Sequence, residues 1–265
     1  MKGILAEPLR HRLRKIVGAY SPLMGWYRRF RPRWAWERTN PLGRTTRRYV
    51  DEQGLTVRHG PFSGMRYPRS AIGRISFLPT KLLGCYEPDL APVFADAAGF
   101  DVFVDVGSAD GYYCVGFKRR FPHTHVIGFE TDRFQRRLSH KLARLNGVTV
   151  DARGTADQRA LDALPPGRLL LMTDIEGYEY ELLNPATLPM LHAATMIIEA
   201  HRKVHPDVVE VLSSRFEHSH TIQLVHARPR KTSDYQELAG WKDDMARLAL
   251  FDAQSLWLVL RPVDD

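Results

Sequence analysis

Cysteines and long apolar segments are what this 265-residue sequence has least of. Its two cysteines, Cys85 and Cys114, are too few for a disulfide framework or a multi-cysteine zinc site, and they fit a reducing cytoplasm. No apolar run reaches the roughly 18 residues of a membrane-spanning helix. A secretory signal is also missing, because Glu7, Pro8 and several arginines stand where its apolar stretch would be. The sequence therefore indicates a cytoplasmic protein.

The net charge of +8 comes from one end of the chain. Residues 1–50 hold 13 Lys and Arg against two Glu, whereas the rest of the chain holds 25 basic and 28 acidic residues. We interpret residues 1–50 as a basic aromatic arm. Residues 51–99 are interpreted as an accessory segment of strands and helix that packs on the core, and residues 100–265 as the main domain.

The arm has three interpretations. An apolar stripe at helical spacing between Leu5 and Tyr20 favours a lid that packs on the core, with its arginines in water. Trp26, Trp34 and Trp36 stand among arginines, which suits peripheral contact of residues 1–36 with the inner membrane face or with an anionic glycolipid. Aromatic stacking between phosphate-binding arginines would instead suit nucleic acid. The main domain has a slight excess of acid, so nucleic acid is the least favoured partner.

Strand and helix patterns alternate along the main domain. The predicted strands are Val102–Val106, His125–Glu130, Val148–Ala152, Arg168–Asp174, Thr195–Glu199, Thr221–His226 and Leu256–Leu260. The principal predicted helices are Leu82–Ala98, Tyr112–Arg120, Asp132–Leu145 and Pro206–Phe216. This alternation predicts an α/β fold with a doubly wound, Rossmann-like sheet of seven mostly parallel strands and one antiparallel strand near the end. Ligands of such sheets bind at the carboxyl ends of the strands.

The loop after the first strand indicates a cofactor site. Gly107, Ser108, Ala109 and Gly111 are small enough for a ligand to approach the backbone, and the following helix begins with N–H groups that could bind it. Glu130 ends the second strand, where a carboxylate accepts both hydroxyls of a ribose. These features predict an adenosine-containing cofactor. The alternative is that the glycines serve the geometry of the turn alone.

Two residues favour S-adenosylmethionine over NAD as that cofactor. Tyr112 stands where a dinucleotide fingerprint requires a small residue. Asp105 would repel a pyrophosphate, but it suits a cationic amino-acid group. The predicted cofactor-binding residues are Asp105, Gly107, Ser108, Ala109, Gly111, Tyr112, Glu130 and Asp174.

A second cluster of ionisable residues follows the fourth and fifth strands. Asp174, Glu199 and His201 could form a general base with its orienting group, or an oxygen-rich site for a divalent metal such as Mg²⁺. Glu176 and Glu179 could instead cap the helix that follows. His201 is the best single candidate for a base, because an unperturbed imidazole has a pKa near 6.5.

The motifs together resemble those of FkbM-type methyltransferases, a branch of the class I S-adenosylmethionine-dependent fold, over residues 100–260. The residues that carry the resemblance are Asp105, Gly107, Gly111, Tyr112, Tyr113, Phe129, Glu130, Asp174, Glu176, Gly177, Glu179, Leu182, Leu183, Ile198, Glu199 and His201. The upstream segments around Gly60–Met65 and Lys81–Glu87 resemble a bacterial subgroup of methyltransferase-like proteins. Ala109 departs from the family pattern, which commonly has Asn there.

The resemblance implies methyl transfer to a hydroxyl oxygen of a sugar, a glycolipid or a natural product. In-line positioning of the acceptor would be the main task of such an enzyme, together with a base or metal for the hydroxyl. His201, Asp174 and Glu199 are the predicted catalytic residues, and Asp174 could alternatively contact the amino group of the cofactor. Two other interpretations remain: a nucleic-acid methyltransferase that uses the arm, and a binding module that kept the fold without catalysis.

Overall fold

Strands and short helices alternate through the computed structural model, which describes residues 41–75, 77–228 and 255–263. The strands are β1 (Val102–Val106), β2 (His125–Phe129), β3 (Asp151–Arg153), β4 (Leu169–Thr173), β5 (Thr195–Glu199), β6 (His220–His226) and β7 (Leu256–Pro262). The α-helices are α1 (Pro41–Gln53), α2 (Leu78–Leu83), α3 (Ala91–Ala95), α4 (Tyr112–Arg120), α5 (Arg133–Leu145), α6 (Gln158–Asp162), α7 (Glu179–Leu182) and α8 (Val208–Phe216). Short 3₁₀ turns cover Arg69–Ala71, Pro88–Leu90 and Pro189–Ala193.

The strands of this described region form one sheet in the order β3-β2-β1-β4-β5-β7-β6. Pairing is parallel from β3 to β5, whereas β7 runs antiparallel to both β5 and β6. The predicted fold class is therefore confirmed, including the antiparallel strand near the end. The third strand begins three residues later than the sequence indicated, at Asp151.

Burial explains why the central strands are apolar runs rather than alternating patterns. Every residue of β1 and β4 is buried, as expected for parallel strands that are covered on both faces. One face of the sheet packs on α8 through Val208, Leu212 and Phe216. The opposite face packs on α4, where the rings of Phe103 and Phe117 stack with centroids 4.3 Å apart.

The predicted helix Leu82–Ala98 is wrong. The chain forms α2, a 3₁₀ turn and α3 in its place. Gly84 ends α2 in the left-handed conformation, at φ +84°. Pro88 and Pro92 then occupy first-turn positions of the next two elements, where the missing N–H of proline is tolerated although it would break a continuous helix.

Aromatic side chains join the accessory segment to the main domain. The ring of Phe62 lies 5.3 Å from that of Tyr112 and 5.4 Å from that of Phe94, measured between centroids. Phe94 stacks on Tyr113 at 5.0 Å. These contacts cover α4, the helix that begins directly after the predicted cofactor loop.

The predicted arm lies almost entirely outside the described residues, including its stripe between Leu5 and Tyr20 and its three tryptophans. One compact unit of the chain begins at Thr45, and α1 crosses the predicted boundary at residue 50. That boundary stays a prediction. Across the described ranges, we find no helix with the length and apolar character needed to cross a bilayer.

Candidate active site

Four neighbouring parallel strands bring the predicted site residues to one edge of the sheet. Asp105 lies near the end of β1, Glu130 directly follows β2, Asp174 directly follows β4, and Glu199 ends β5. His201 stands two residues beyond Glu199. The parallel pairing of β2, β1, β4 and β5 places these carboxyl ends side by side, as the doubly wound topology requires.

Four backbone N–H groups of the predicted cofactor loop donate hydrogen bonds within the protein. The N–H groups of Gly107 and Ser108 both donate to the carbonyl of Phe129 at 2.9 Å. Ala109 donates to Glu130 Oε2 at 2.9 Å, and Gly111 donates to the carbonyl of Ser108 at 2.8 Å. These four donors belong to the loop and not to the first turn of α4, for which the sequence predicted open N–H groups, so that expectation stays a prediction. A pyrophosphate would find none of the four loop donors available.

Close approach of other chain segments explains two glycines of this loop. A Cβ atom on Gly107, at φ +92°, would lie 1.9 Å from the carbonyl oxygen of Asp174. A Cβ atom on Gly111, at φ +85°, would lie 2.3 Å from Ser139 Oγ on α5. The interpretation that these glycines serve local geometry thus accounts for both of them, and Gly107 is what lets the ends of β1 and β4 meet.

Glu130 is fixed by the backbone of two loops. Its Oε2 accepts the N–H of Ala109, and its Oε1 accepts the N–H of Asp132 at 2.7 Å. Burial raises the pKa of this carboxyl despite these hydrogen bonds. Each carboxylate oxygen has a second acceptor position, so Glu130 keeps the capacity to accept ribose hydroxyls.

Asp105 is a buried acid with one weak partner. Its side chain is 2% exposed and accepts a hydrogen bond from Cys114 Sγ at 3.4 Å. Burial raises the pKa of Asp105 to about 7; the Cys114 contact opposes this shift, and the charges of Asp174 and Glu130 add to it. A cation bound at this edge would therefore be stabilised by the ionised form of Asp105.

The other predicted cofactor residues of the loop differ in backbone conformation and burial. Ala109 adopts the left-handed conformation at φ +44°, and Ser108 is buried. Tyr112 is also buried, with its ring edge-on to those of Phe62 and Tyr86. Tyr112 thus packs against the accessory segment, which explains why a large residue fits where a dinucleotide site would need a small one.

A buried ion pair beside the loop escaped the sequence analysis. Lys81 Nζ lies 2.5 Å from Asp110 Oδ1, and Tyr67 donates to Asp110 Oδ2 at 2.8 Å. The three residues are at most 5% exposed, although Lys81 and Tyr67 come from the accessory segment and Asp110 from the loop. A lone lysine within the apolar α2 was the signal that could have revealed this pair.

His201 is held by Glu179, for which helix capping is one interpretation of the sequence. His201 Nδ1 lies 2.6 Å from Glu179 Oε1, which also accepts the backbone N–H of His201 at 3.2 Å. Glu179 Oε2 accepts the N–H of Gly177 at 3.0 Å, and its side chain is completely buried. Glu179 therefore orients the imidazole, and it also lies in the first turn of α7, where the capping interpretation placed it.

The other ring nitrogen of His201 faces three carboxylates. Nε2 lies 3.5 Å from Asp174 Oδ1, 3.8 Å from Glu176 Oε2 and 3.9 Å from Glu199 Oε2. Glu176 is the exposed member, at 89% of its side-chain surface, and it adopts φ +57°. The structure thus brings Asp174, Glu199 and His201 together, as the sequence predicted.

Charge interactions set the protonation of this cluster. Burial would lower the pKa of His201, but its hydrogen bond to Glu179 and the charges of Glu179, Glu199 and Asp174 raise it to about 9. Burial raises the pKa of Asp174 well above its usual value, and the neighbouring charge and hydrogen bond of Glu199 add to that. The ordinary imidazole pKa therefore does not apply here. At neutral pH, His201 carries a proton.

The accessory segment contributes a further carboxylate that the sequence did not place. Tyr113 donates a short hydrogen bond to Glu87, which adopts φ +45°. Burial raises the pKa of Glu199, and the charge of Glu87 adds to this shift. Glu87 therefore lies close enough to act on the end of β5, and the accessory segment forms part of the surroundings of the site.

Neither a scan against protein-family models nor a search of curated proteins finds a match to the chain. Solved structures are similar over part of it. A tRNA (uracil-54, C5)-methyltransferase of Pyrococcus abyssi, in complex with S-adenosyl-L-homocysteine, matches with 14% identity and a TM-score of 0.43 over 68% of this chain. The chain spans 38% of the length of that protein.

Two further structures show a comparable degree of similarity. An rRNA methylase of Streptococcus thermophilus matches with 10% identity and a TM-score of 0.45, over 65% of this chain and 93% of its own. The O-methyltransferase TomG of Streptomyces achromogenes, in complex with SAM, matches with 13% identity and a TM-score of 0.44, over 65% of this chain and 78% of its own.

Proposed function

We propose that this protein is an S-adenosylmethionine-dependent methyltransferase that methylates a hydroxyl oxygen of a sugar, a glycolipid or a natural product. The observation that carries the proposal is the carboxylate-lined edge of the sheet. Asp105 lies near the end of β1, and Glu130 and Asp174 directly follow β2 and β4. Four N–H groups of the loop between β1 and α4 donate within the protein. Such an edge attracts a cation and offers little to an anion.

The residues present fit S-adenosylmethionine better than a dinucleotide. The cofactor carries a sulfonium and an ammonium, which the charges of Asp105 and Asp174 would stabilise. Glu130 retains acceptor positions for the ribose hydroxyls. A dinucleotide would bring its pyrophosphate to a loop in which the N–H groups of Gly107, Ser108, Ala109 and Gly111 already donate within the protein. The buried acid Asp105 lies next to this loop.

The chain supplies positioning and proton handling for the reaction. When bound, S-adenosylmethionine supplies an activated methyl group that a nucleophile takes by in-line displacement. An acceptor hydroxyl must be held within about 3–3.5 Å of that methyl group, and its proton must leave. His201 holds a proton at neutral pH, so Asp174 and Glu199 are the neighbouring groups that would accept the hydroxyl proton in their ionised forms.

The choice of a hydroxyl oxygen rests on the motif residues that resemble FkbM-type methyltransferases and on the carboxylate–imidazole cluster. A hydroxyl is a poor nucleophile at neutral pH and requires a group that accepts its proton. The carboxylates at the carboxyl end of the sheet would provide that group. A nucleic-acid acceptor would have to involve the basic arm. A binding module would keep the cofactor edge without transferring a methyl group.

Calorimetric titration of the purified full chain tests the cofactor. We expect binding of S-adenosylmethionine and S-adenosylhomocysteine and no binding of NAD. Glu130→Gln should weaken binding about tenfold or more, because a hydrogen bond to a charged group contributes about 1.5–3 kcal/mol. The exposed Glu217→Gln is the matched control and should bind as the wild type does.

Transfer of labelled methyl groups from S-adenosylmethionine tests the acceptor. Sugars, glycolipid vesicles and RNA would be offered in parallel, and the proposal expects a labelled ether on a hydroxyl-bearing acceptor. Labelled RNA without a labelled hydroxyl acceptor would replace the proposal with the nucleic-acid alternative. A folded protein that does not bind S-adenosylmethionine would overturn the proposal and favour the binding module.

A further inference from the structure

We propose that Asp174, Glu199 and His201 bind a divalent transition-metal ion of the Zn²⁺ or Mn²⁺ type, and that Glu179 holds the imidazole in the orientation this requires. Metal binding itself does not depend on the proposed methyl transfer. The role that we give the ion, activation of the acceptor hydroxyl, does rest on that proposed function.

The spacing of the three ligand atoms is that of a coordination shell. One atom from each residue can be chosen so that all lie within 4.8 Å of one another. His201 Nε2 lies 3.5 Å from Asp174 Oδ1 and 3.9 Å from Glu199 Oε2, at or beyond the limit of a hydrogen bond. Two ligands bound at about 2.0–2.2 Å and at tetrahedral to trigonal angles are separated by about 3.3–3.8 Å. An ion between these atoms therefore needs only small adjustments.

Glu179 distinguishes this group from an ordinary surface cluster of acids. Metal-binding histidines almost always donate their second ring N–H to a carboxylate, a carbonyl or water, which fixes the tautomer and the ring orientation. His201 has this arrangement, with Nδ1 against the fully buried Glu179 and Nε2 directed at the carboxylates. The backbone N–H of His201 and that of Gly177 bind the same Glu179 side chain, so the orienting group is itself fixed.

The imidazole also determines the class of ion. Mg²⁺ prefers oxygen ligands in octahedral geometry, whereas Zn²⁺ and its neighbours accept imidazole and carboxylate together. A ligand set of one nitrogen and two carboxylates thus favours a transition metal, which departs from the Mg²⁺ that an oxygen-rich site suggested. Glu176 Oε2, 3.8 Å from Nε2 on an exposed side chain, could approach as a fourth ligand or leave that position to the acceptor.

A cation at this position would serve the proposed reaction. It would offset the charges of several carboxylates, Glu87 among them, that meet at the end of β5. A hydroxyl coordinated to such an ion has a lowered pKa and is held in a fixed position. Asp174 directly follows β4, and its carbonyl lies close to Gly107 in the cofactor loop. The ion would therefore lie beside the predicted cofactor site.

Titration of the chelator-treated full chain with Co²⁺, without S-adenosylmethionine, tests the site. We expect one Co²⁺ per chain with visible d–d absorption, displacement by Zn²⁺, and no displacement by excess Mg²⁺. His201→Asn and Asp174→Asn should each abolish the absorption. Glu179→Gln should weaken affinity about 10–100-fold, as the loss of an orienting partner does.

His205 provides the matched control. Its Nε2 lies 3.9 Å from Glu181 Oε1, so it is a second imidazole near a carboxylate, and His205→Asn should bind Co²⁺ as the wild type does. The proton NMR spectrum of the Co²⁺ protein should contain a hyperfine-shifted, exchangeable N–H signal from the buried Nδ1 of His201. This signal tests the ligand without any substitution that could unfold the chain.

Several results would overturn the metal site. They are absence of Co²⁺ binding to the folded chain, equal binding by folded His201→Asn, absence of the shifted N–H signal, and competition by Mg²⁺ at concentrations equal to Co²⁺. Because S-adenosylmethionine binding is measured separately, a chain that binds the cofactor and no metal would overturn this inference alone. A chain that binds the metal and no cofactor would overturn the proposed function alone.

Discussion

His201 Nδ1 and Glu179 Oε1 lie 2.6 Å apart, although Glu179 begins α7 and His201 lies in the loop after β5. Burial would raise the pKa of Glu179, but the hydrogen bond and the charge of His201 outweigh it and hold that pKa below its usual value. In return, Glu179 is the main cause that raises the pKa of His201 to about 9. The pair therefore fixes the orientation of the imidazole and also its charge in the metal-free protein.

Glu179→Gln should lower the pKa of His201 in the metal-free protein. Gln can still accept a hydrogen bond, but it no longer carries the charge that stabilises the imidazolium. We expect the pKa to fall from about 9 toward the ordinary value of about 6.5. An NMR titration of histidine side chains in the presence of a chelator measures this. A wild-type His201 that titrates near the ordinary value would contradict the prediction.

Asp105 should make the affinity for S-adenosylmethionine depend on pH. The pKa of this buried carboxyl is about 7 in the unliganded chain, and a bound cation favours its ionised form. Below that pKa, a proton must leave before the charge can act, so affinity should rise with pH by up to about tenfold per unit. Above it, this contribution should level off.

Asp105→Asn isolates that contribution. The variant cannot ionise at this position, so its affinity should vary less with pH than that of the wild type between about pH 5 and pH 7. Calorimetry over this range in matched buffers makes the comparison. Parallel pH profiles of the two proteins would mean that Asp105 stays neutral or does not act on the cofactor.

The sheet was predictable because its signals are local. The apolar runs at Val102–Val106 and Thr195–Glu199 coincide with β1 and β5, since parallel strands covered on both faces show little else. The structure of the accessory segment was not predicted correctly, because Gly84, Pro88 and Pro92 interrupt an otherwise helical pattern. In this segment the turn residues determine the structure, although the spacing of apolar residues alone favours one continuous helix.

The site was predictable only in part. Asp174, Glu199 and His201 could be grouped because the ends of adjacent strands meet. Glu179 could not be assigned to this group from the sequence, because its contact with His201 depends on a turn that directs its side chain back toward the imidazole. The contact of Lys81 with Asp110 spans 29 positions, so the lone lysine of α2 could indicate a buried partner but could not identify Asp110 as that partner.

Lys81→Met should destabilise the fold strongly. It removes the cation that faces Asp110 in a buried pair, and loss of one partner from such a pair costs about 3–5 kcal/mol. Lys81→Met combined with Asp110→Asn should recover part of the loss, since no uncompensated charge remains. Denaturant unfolding of the single and double variants measures both effects.

The exposed pair of Arg48 and Glu52 on α1 is the control. Its atoms are 2.8 Å apart at about half exposure, and Glu52→Gln should cost less than about 1 kcal/mol. Equal losses from Lys81→Met and Glu52→Gln would show that the buried pair contributes no more than a surface pair.

Gly107→Ala should disrupt the edge of the sheet as well as the turn. Gly107 and Gly54 both adopt a positive φ, +92° and +80° respectively, but only at Gly107 would a Cβ atom meet backbone, 1.9 Å from the carbonyl of Asp174. Around Gly54 there is nothing within 4 Å, so Gly54→Ala should cost only the left-handed conformation, about 1–2 kcal/mol. Gly107→Ala must also separate the ends of β1 and β4. We therefore expect a larger loss of unfolding free energy and weaker binding of S-adenosylmethionine in Gly107→Ala alone. Equal stability of the two variants, with cofactor binding intact, would mean that the close approach of Gly107 to Asp174 does not shape the site.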